Sequence, residues 1–170
     1  MYVCWSHGKD SDPWGSKSRN LAEVASSHGL TLDAIDYTST KDPDLRVEML
    51  KERCASLPGP YVFVGSSMGG YVSLAAAQEI DNVVGIFALA PALYLPGYHW
   101  IDFPFLKCPD IEIVHGWRDE IAPVENSLRF ARIHRARLHI LEAEHRMHDA
   151  MDIIPVLFGA FLKRMKQAAP

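Results

Sequence analysis

The chain has 170 residues, a length typical of one domain, and we predict a single domain over residues 1–170. Hydrophobic residues make up 48% and charged residues 22%, a balance that excludes a disordered or collagen-like chain. The formal net charge of -4 argues against a nucleic-acid-binding protein, because such proteins usually carry an excess of Lys and Arg.

The cysteines and the apolar runs bear on the compartment. Cys4, Cys54 and Cys108 are scattered and show no CxxC spacing, which indicates a reducing compartment rather than a disulfide framework. No apolar run reaches the roughly 18 residues of a membrane-spanning helix, so we predict no membrane span. The first residues have no basic region before them and do not resemble a signal peptide. We therefore expect a cytoplasmic protein.

Strand and helix patterns alternate along the chain. Apolar, β-prone runs predict six strands, at residues 2–5, 32–37, 61–64, 83–89, 111–114 and 138–141. Amphipathic stretches predict helices at 16–27, from Asp42 to just before Pro58, and at 69–79, 127–135 and 153–165. Alternating units with strands that are apolar at every position predict an α/β fold, a mostly parallel six-stranded sheet with helices on both faces.

The second predicted helix has a distinct start and an apolar stripe. Asp42 supplies an acceptor at the cap, and Pro43 occupies the first turn. The spacing of Leu45, Met49 and Leu50 predicts that these side chains form the buried stripe of this helix.

A G-x-S-x-G pattern follows the third predicted strand, as Gly65-Ser66-Ser67-Met68-Gly69. Between a buried strand and a helix, the glycines permit a sharp turn that holds the central Ser67 hydroxyl away from the backbone. The helix that starts behind it adds a positive dipole end. Ser67 is thus the candidate nucleophile, and Ser66 is an alternative that lacks the central position.

A serine nucleophile needs a base and an acid that orients the base, and both types of residue follow later strands. Asp119 comes just after the fifth strand, with Glu120 as the alternative acid. His145 comes after the sixth strand, with His148 as the alternative base. Asp119 could instead only cap the next helix. The chain order of serine, aspartate and histidine is the order expected on this architecture.

Two further groups of residues lie at the predicted strand ends. A hydrolytic site needs two donors for a developing oxyanion, and the backbone N–H groups of Lys9 and Met68 are the candidates. The alternative metal site comprises His145, His148, Asp149 and Asp152. Their spacing is not H-E-x-x-H, so we predict that no metal is bound.

On these motifs the chain resembles α/β-hydrolases, in particular small lidless serine hydrolases such as bacterial single-domain esterase-like proteins and retinoblastoma-binding-protein-type hydrolases. The matching segments are Ser6-His7-Gly8, residues 65–70, residues 115–123 and Glu144-His145-Arg146. The resemblance covers essentially the whole chain. It implies a Ser67 nucleophile, His145 as base and then acid, and Asp119 as its orienting acid. It further implies an oxyanion hole at Lys9 and Met68, and no cofactor.

The segment of residues 91–108 follows the fourth strand and is too short for a helical lid. Its apolar and aromatic residues are Leu93, Tyr94, Leu95, Tyr98, His99, Trp100, Phe103 and Phe105. We expect them to form a short apolar wall beside Ser67, which favours a small acyl group and an open site. The alternative is that they pack against the core.

Two functional hypotheses of different classes follow. The first is a hydrolase of small-molecule carboxylic esters or thioesters. The second is a protein-interaction module that keeps the hydrolase fold. The presence of Ser67, Asp119 and His145 together favours the first, because a binding module does not need all three.

Overall fold

Strands and helices follow one another from Tyr2 to Ala168 in the computed structural model, which describes residues 1–99 and 102–168. They alternate except between the fourth and fifth strands, where the described residues form no helix. The strands are β1 (Tyr2–Ser6), β2 (Leu32–Ile35), β3 (Tyr61–Ser66), β4 (Val83–Leu89), β5 (Ile111–Gly116) and β6 (Arg137–Leu141). The helices are α1 (Ser16–Ser27), α2 (Pro43–Ala55), α3 (Met68–Ala76), α4 (Val124–His134) and α5 (Ile154–Ala168). A short 3-10 helix, His148–Ala150, lies between β6 and α5.

Within the described residues, the strands form one sheet in the order β2-β1-β3-β4-β5-β6, and every neighbouring pair is parallel. This confirms the predicted fold class. The central strand β3 is buried along its whole length, as its continuous apolar run predicts. Because all strands run in one direction, the loops after β1, β3, β5 and β6 meet at one edge of the sheet.

Helices cover both faces of the sheet, as predicted. On one face, α1 and α5 bury Leu21, Phe158 and Phe161 against the strands. On the other face, residues of α2, α3 and α4 pack into a second apolar layer. Removing this apolar surface from water is the main force that holds the layers together. None of the helices in the described part of the chain has the length and apolarity of a membrane span.

Helix α2 starts as predicted and buries Leu50 of the predicted stripe, but it does not bury Leu45. The Asp42 carboxylate accepts hydrogen bonds from the N–H groups of Asp44 and Leu45, at 2.9 and 3.0 Å. The predicted stripe is wrong at Leu45, which is 56% exposed, whereas Arg46 is 1% exposed. The helix turns Arg46 inward because its guanidinium finds backbone carbonyl oxygens in the loop after β1.

Other element boundaries also differ from the predictions. Helix α4 begins at Val124 rather than Ser127, because Pro123 sets the extended backbone that precedes the first turn. The separate 3-10 helix that contains His148 was not predicted; it begins after Met147, which turns the chain with a φ of 59°.

Candidate active site

The turn between β3 and α3 places Ser67 in a strained backbone conformation. Its φ is 55° and its ψ is -118°, a region that non-glycine residues rarely adopt. The turn needs glycine on both sides: a Cβ on Gly65 would lie 2.1 Å from the Gly69 carbonyl oxygen. A Cβ on Gly69 would lie 1.9 Å from the Ser6 carbonyl oxygen. The two glycines thus let β1, β3 and α3 approach closely enough to present Ser67 at the sheet edge.

Three side chains from three separate loops form a continuous hydrogen-bonded chain. His145 Nε2 lies 2.9 Å from Ser67 Oγ, and His145 Nδ1 lies 2.7 Å from Asp119 Oδ2. The carboxylate accepts from Nδ1–H, so Nε2 of the neutral ring is free to accept the serine proton. The structure therefore brings together the three residues that the sequence singled out, over a separation of 78 residues between serine and histidine.

The Asp119 carboxylate is fully enclosed, and both of its oxygens are hydrogen-bonded. Oδ1 accepts from the N–H groups of Ile121 and Ala122 at 2.9 and 2.8 Å. Oδ2 accepts from His145 and from His115 Nε2, the latter at 3.0 Å. Burial by itself would raise the pKa of Asp119, but these four donors outweigh it and hold the pKa well below its usual range. The carboxylate is therefore ionised at neutral pH.

His115 is a second histidine on Asp119 that the sequence reasoning missed. Its Nε2 lies 2.9 Å from the Ala122 carbonyl oxygen and 3.0 Å from the Asp119 carboxylate, and both groups only accept hydrogen bonds. The proton therefore sits on Nε2, and Nδ1 accepts from the Ser127 hydroxyl at 2.7 Å. The sequence signal is a histidine inside an apolar strand that is buried along its whole length. A buried polar side chain needs hydrogen-bond partners nearby.

The loop after β1 is held by the buried Arg46. Its guanidinium donates to the carbonyl oxygens of His7, Gly8 and Lys9 at 3.1 to 3.2 Å. With three successive carbonyl groups fixed in this way, the path of the loop beside Ser67 is fixed as well. Among the described residues, the N–H groups of Lys9 and Met68 donate to no other protein group.

His7 shapes this loop from the inside. Its Nδ1 donates to the Gly8 carbonyl oxygen at 2.8 Å, and its Nε2 accepts from the Tyr37 N–H at 3.1 Å. Burial lowers the pKa of His7, which agrees with a neutral ring in this role.

The residues that the sequence offered as alternative nucleophile, acid, base and metal ligands do not take part in this hydrogen-bonded chain. Ser66 Oγ accepts a hydrogen bond from Lys17 at 3.0 Å, and Glu120 is exposed. His148 is exposed at the rim of the cleft, and Asp149 pairs with Arg118. Across residues 1–99 and 102–168, no three His, Cys, Asp or Glu side chains converge as metal ligands would.

A cleft of about 470 Å³ opens to solvent over Ser67 and His145. Leu95 and Tyr98 line it, so part of the segment after β4 forms the expected apolar wall. Leu93 and Phe103 are instead buried in the core, so the alternative prediction, that these residues pack against the core, is correct for part of the segment. Trp100 lies outside the described residues.

The whole length of the chain matches a known family. The model of the alpha/beta hydrolase family matches residues 3–167. Among curated proteins, the mitochondrial palmitoyl-protein thioesterase ABHD10 of Rattus norvegicus is 24% identical over 199 residues, covering 82% of this chain and 67% of that protein. The Mus musculus protein of the same name is 28% identical over 145 residues, covering 56% and 48%. The chain thus spans about half to two thirds of these relatives.

Solved structures show the same fold. A protein of the alpha/beta hydrolase superfamily from Xanthomonas campestris is 28% identical, with a TM-score of 0.82 over 96% of this chain and 98% of that one. The Pyrococcus furiosus esterase Pf2001 is 20% identical, with a TM-score of 0.81 over 96% and 82%. Family model, relatives and fold agree, and the chain belongs to the alpha/beta hydrolase family.

Proposed function

We propose that this protein is a serine hydrolase that cleaves a carboxylic ester or thioester of a small acyl group through an acyl-enzyme on Ser67. The observation that carries the proposal is the hydrogen-bonded chain from Ser67 Oγ through His145 to Asp119. In this proposal Ser67 is the nucleophile, His145 the base and acid, and Asp119 the residue that orients the imidazole. Lys9 and Met68 supply the N–H groups of the oxyanion hole.

In the first half-reaction, His145 Nε2 takes the hydroxyl proton while Ser67 Oγ bonds to the carbonyl carbon of the substrate. The carbonyl oxygen becomes an oxyanion that accepts hydrogen bonds from the N–H groups of Lys9 and Met68. When the tetrahedral intermediate collapses, the bond from carbon to the leaving oxygen or sulfur breaks. His145 then gives its proton to the departing alcohol or thiol.

In the second half-reaction, water replaces the leaving group. His145 takes a proton from the water as its oxygen bonds to the acyl carbon, and a second oxyanion forms. Collapse of this intermediate breaks the bond between carbon and Ser67 Oγ. His145 returns the proton to Ser67, and the carboxylic acid leaves. Protein groups carry every step, so the proposed mechanism uses no metal or organic cofactor.

The similarities support the reaction class. The rat relative is named a palmitoyl-protein thioesterase and the Pyrococcus furiosus relative an esterase, and both names describe acyl-transfer hydrolysis. The preference for a small acyl group rests on the apolar wall of Leu95 and Tyr98 and on the open cleft. The cytoplasmic location stays a prediction, since the rat relative is named mitochondrial. The absence of nucleic-acid binding stays a prediction as well.

Labelling with a fluorophosphonate, which reacts covalently with activated serines, tests the proposal. We expect the unaltered protein to be labelled and Ser67→Ala to remain unlabelled. Ser67→Ala and His145→Ala should each lower p-nitrophenyl butyrate hydrolysis by about a million-fold. Failure of the unaltered protein to react would instead support the protein-interaction module.

His148→Ala is the matched control for the base, because His148 lies at the rim of the same cleft and is exposed. We expect this variant to keep most of its activity. An inactive His148→Ala beside an active His145→Ala would show that the base is assigned to the wrong histidine.

A further inference from the structure

Lys17 reaches from the first turn of α1 into the candidate active site. Its ammonium donates to Ser66 Oγ at 3.0 Å, across 49 residues of sequence. Ser66 is 4% exposed and directly precedes Ser67. Lys17 also lines the cleft that contains Ser67 and His145, the space where a substrate would lie.

The surroundings of this ammonium do not stabilise its charge. Among the described residues, no carboxylate lies within ion-pair distance of Lys17, and its hydrogen-bond acceptor is a neutral hydroxyl. It sits at the amino-terminal end of α1, where the helix dipole is unfavourable to a cation. Burial, followed by the nearby Arg146, lowers the pKa of Lys17 to about 8, against a weaker opposite effect of Asp119.

Arg146 is a second cation without a partner in the same cleft. It is exposed, it follows His145 directly, and it forms no ion pair with any residue that the structure describes. Arg118, by contrast, is paired with Glu142 and Asp149. Arg118 and Arg146 thus differ in that only Arg118 has carboxylate partners among the described residues.

The negative charges of the cleft do not offset these cations. Asp10 lines the cleft, but its carboxylate is paired with Lys41 at 2.6 Å. Asp12 also lines the cleft, and so does Lys9, which has the opposite charge. Lys17 and Arg146 therefore leave the wall beside Ser67 with an excess of positive charge.

We propose that Lys17 and Arg146 form an anion subsite beside Ser67, which selects esters or thioesters that carry a carboxylate a few bonds from the scissile carbonyl. The inference rests on the proposed function and names its substrate class. The substrate carboxylate would accept hydrogen bonds from Lys17 and would be attracted electrostatically by Arg146. It would thus be the anionic partner that both cations lack within the protein. A carboxylate on the acyl chain or on the leaving group presents the same chemistry.

Two matched substrate pairs test the subsite and distinguish the two sources. For the acyl side, the p-nitrophenyl half-ester of adipate is compared with p-nitrophenyl hexanoate. For the leaving-group side, the hexanoate ester of 4-hydroxybenzoate is compared with the hexanoate ester of its methyl ester. The quantity measured is the ratio of kcat/KM for the charged and the neutral member, in each variant.

We expect Lys17→Met to lower this ratio by about tenfold to a hundredfold for one of the two pairs, since a hydrogen bond to a charged group is lost. Arg146→Gln should lower it by about threefold, because an exposed charge contributes less. Lys163→Met removes a lysine from the exposed face of α5 and should leave the ratio unchanged.

Equal loss of charged and neutral substrates in Lys17→Met would overturn the proposal, because Lys17 would then only hold Ser66 in place. An unaltered protein with the same ratios as Lys17→Met would overturn it as well. Fluorophosphonate labelling of Ser67 in each of these cases would leave the hydrolase function standing, whereas loss of labelling in the unaltered protein would reject that function.

A second measurement does not depend on the folding of a variant. In the unaltered protein, glutarate should slow the labelling of Ser67 by a neutral fluorophosphonate, and glutaramide at equal concentration should not. Equal protection by the two compounds would contradict an anion subsite.

Discussion

The two ends of the parallel sheet hold charged side chains in different surroundings. Near its amino-terminal end, Glu112 is 2% exposed and is bound by both His139 and Arg164. Arg164 also contacts Asp110, so positive and negative groups satisfy each other within the protein. At the carboxyl end, the cleft keeps Lys17 and Arg146 without carboxylate partners among the described residues.

The difference separates charges that stabilise the fold from charges that are available to a ligand. Removing one partner of a buried ion pair leaves a buried charge uncompensated and costs several kcal/mol, so the fold depends on Glu112 keeping its partners. An unpaired cation in an open cleft keeps its capacity to bind an anion. Asp119 lies between these cases, because it is fully bonded by the protein and still acts on His145. Substitutions at the two ends should therefore affect different measurable quantities.

Among residues that act through another group, Asp119→Asn should have the largest effect on activity. An amide in place of the carboxylate can donate to His145 Nδ1, which puts the proton on Nε2 and prevents Nε2 from accepting the proton of Ser67. We expect kcat/KM for p-nitrophenyl butyrate to fall by about ten-thousand-fold. Circular dichroism serves as the control for folding, and a loss below tenfold would exclude the orienting role of Asp119.

Arg46→Met should have the next largest effect. The variant leaves the carbonyl groups of the loop after β1 without their donor, so the Lys9 N–H would no longer be fixed. We expect kcat to fall by about a hundredfold and the free energy of unfolding to fall by about 2 kcal/mol.

The matched control is Arg53→Met, on the same helix, because Arg53 is exposed and pairs only with Asp33 and Ser56 among the described residues. This control should change neither kcat nor stability appreciably. A comparable loss of kcat in both variants would show that the loop does not depend on Arg46.

The pH dependence of the preference for anionic substrates tests the cleft charges without a substitution. The pKa of Lys17 is lowered to about 8, so its ammonium is charged below this pH and neutral above it. The preference for the anionic member of each substrate pair should therefore be full near pH 7 and fade as pH rises through about 8. The pKa of Asp119 is held well below its usual range, so Asp119 stays ionised and does not produce this change. A preference that persists unchanged at pH 9.5 would contradict the role of Lys17.

Glu112→Gln should have the smallest effect on activity and a clear effect on stability. It removes one charge of the group at the amino-terminal end of β5, where Arg164 retains Asp110 as a partner. We expect kcat/KM to stay within about twofold and urea unfolding to show a loss of about 2 kcal/mol. A large loss of activity without a loss of stability would break the division between the two ends.

The fold and the candidate residues on strand ends followed from local sequence patterns. The apolar run of β3 and the glycines around Ser67 specify a buried strand and a tight turn, because these requirements lie within a few residues. Asp119 and His145 are predictable as partners because the carboxyl ends of parallel strands must lie at one edge of the sheet.

Other residues depend on contacts that no local pattern encodes. Arg46 has the appearance of a solvent-exposed helix residue, and only the loop 39 residues earlier explains its burial. Lys17 likewise acquires its surroundings from Ser66, far along the chain. His115 is recognisable only once Asp119 and Ser127 are folded around it. Long-range hydrogen bonding decides these positions, and the sequence pattern does not report it.

The strand order has a consequence for cooperativity. Ser67 follows the central strand β3, whereas His145 follows β6, an edge strand whose residues are only partly buried. Edge strands open more readily than central ones, so β6 should lose its amide-exchange protection first. Turnover would then vanish at denaturant concentrations where the central strands remain protected. Loss of activity would therefore indicate that β6 has detached from the sheet, and it would not show that the central strands have unfolded.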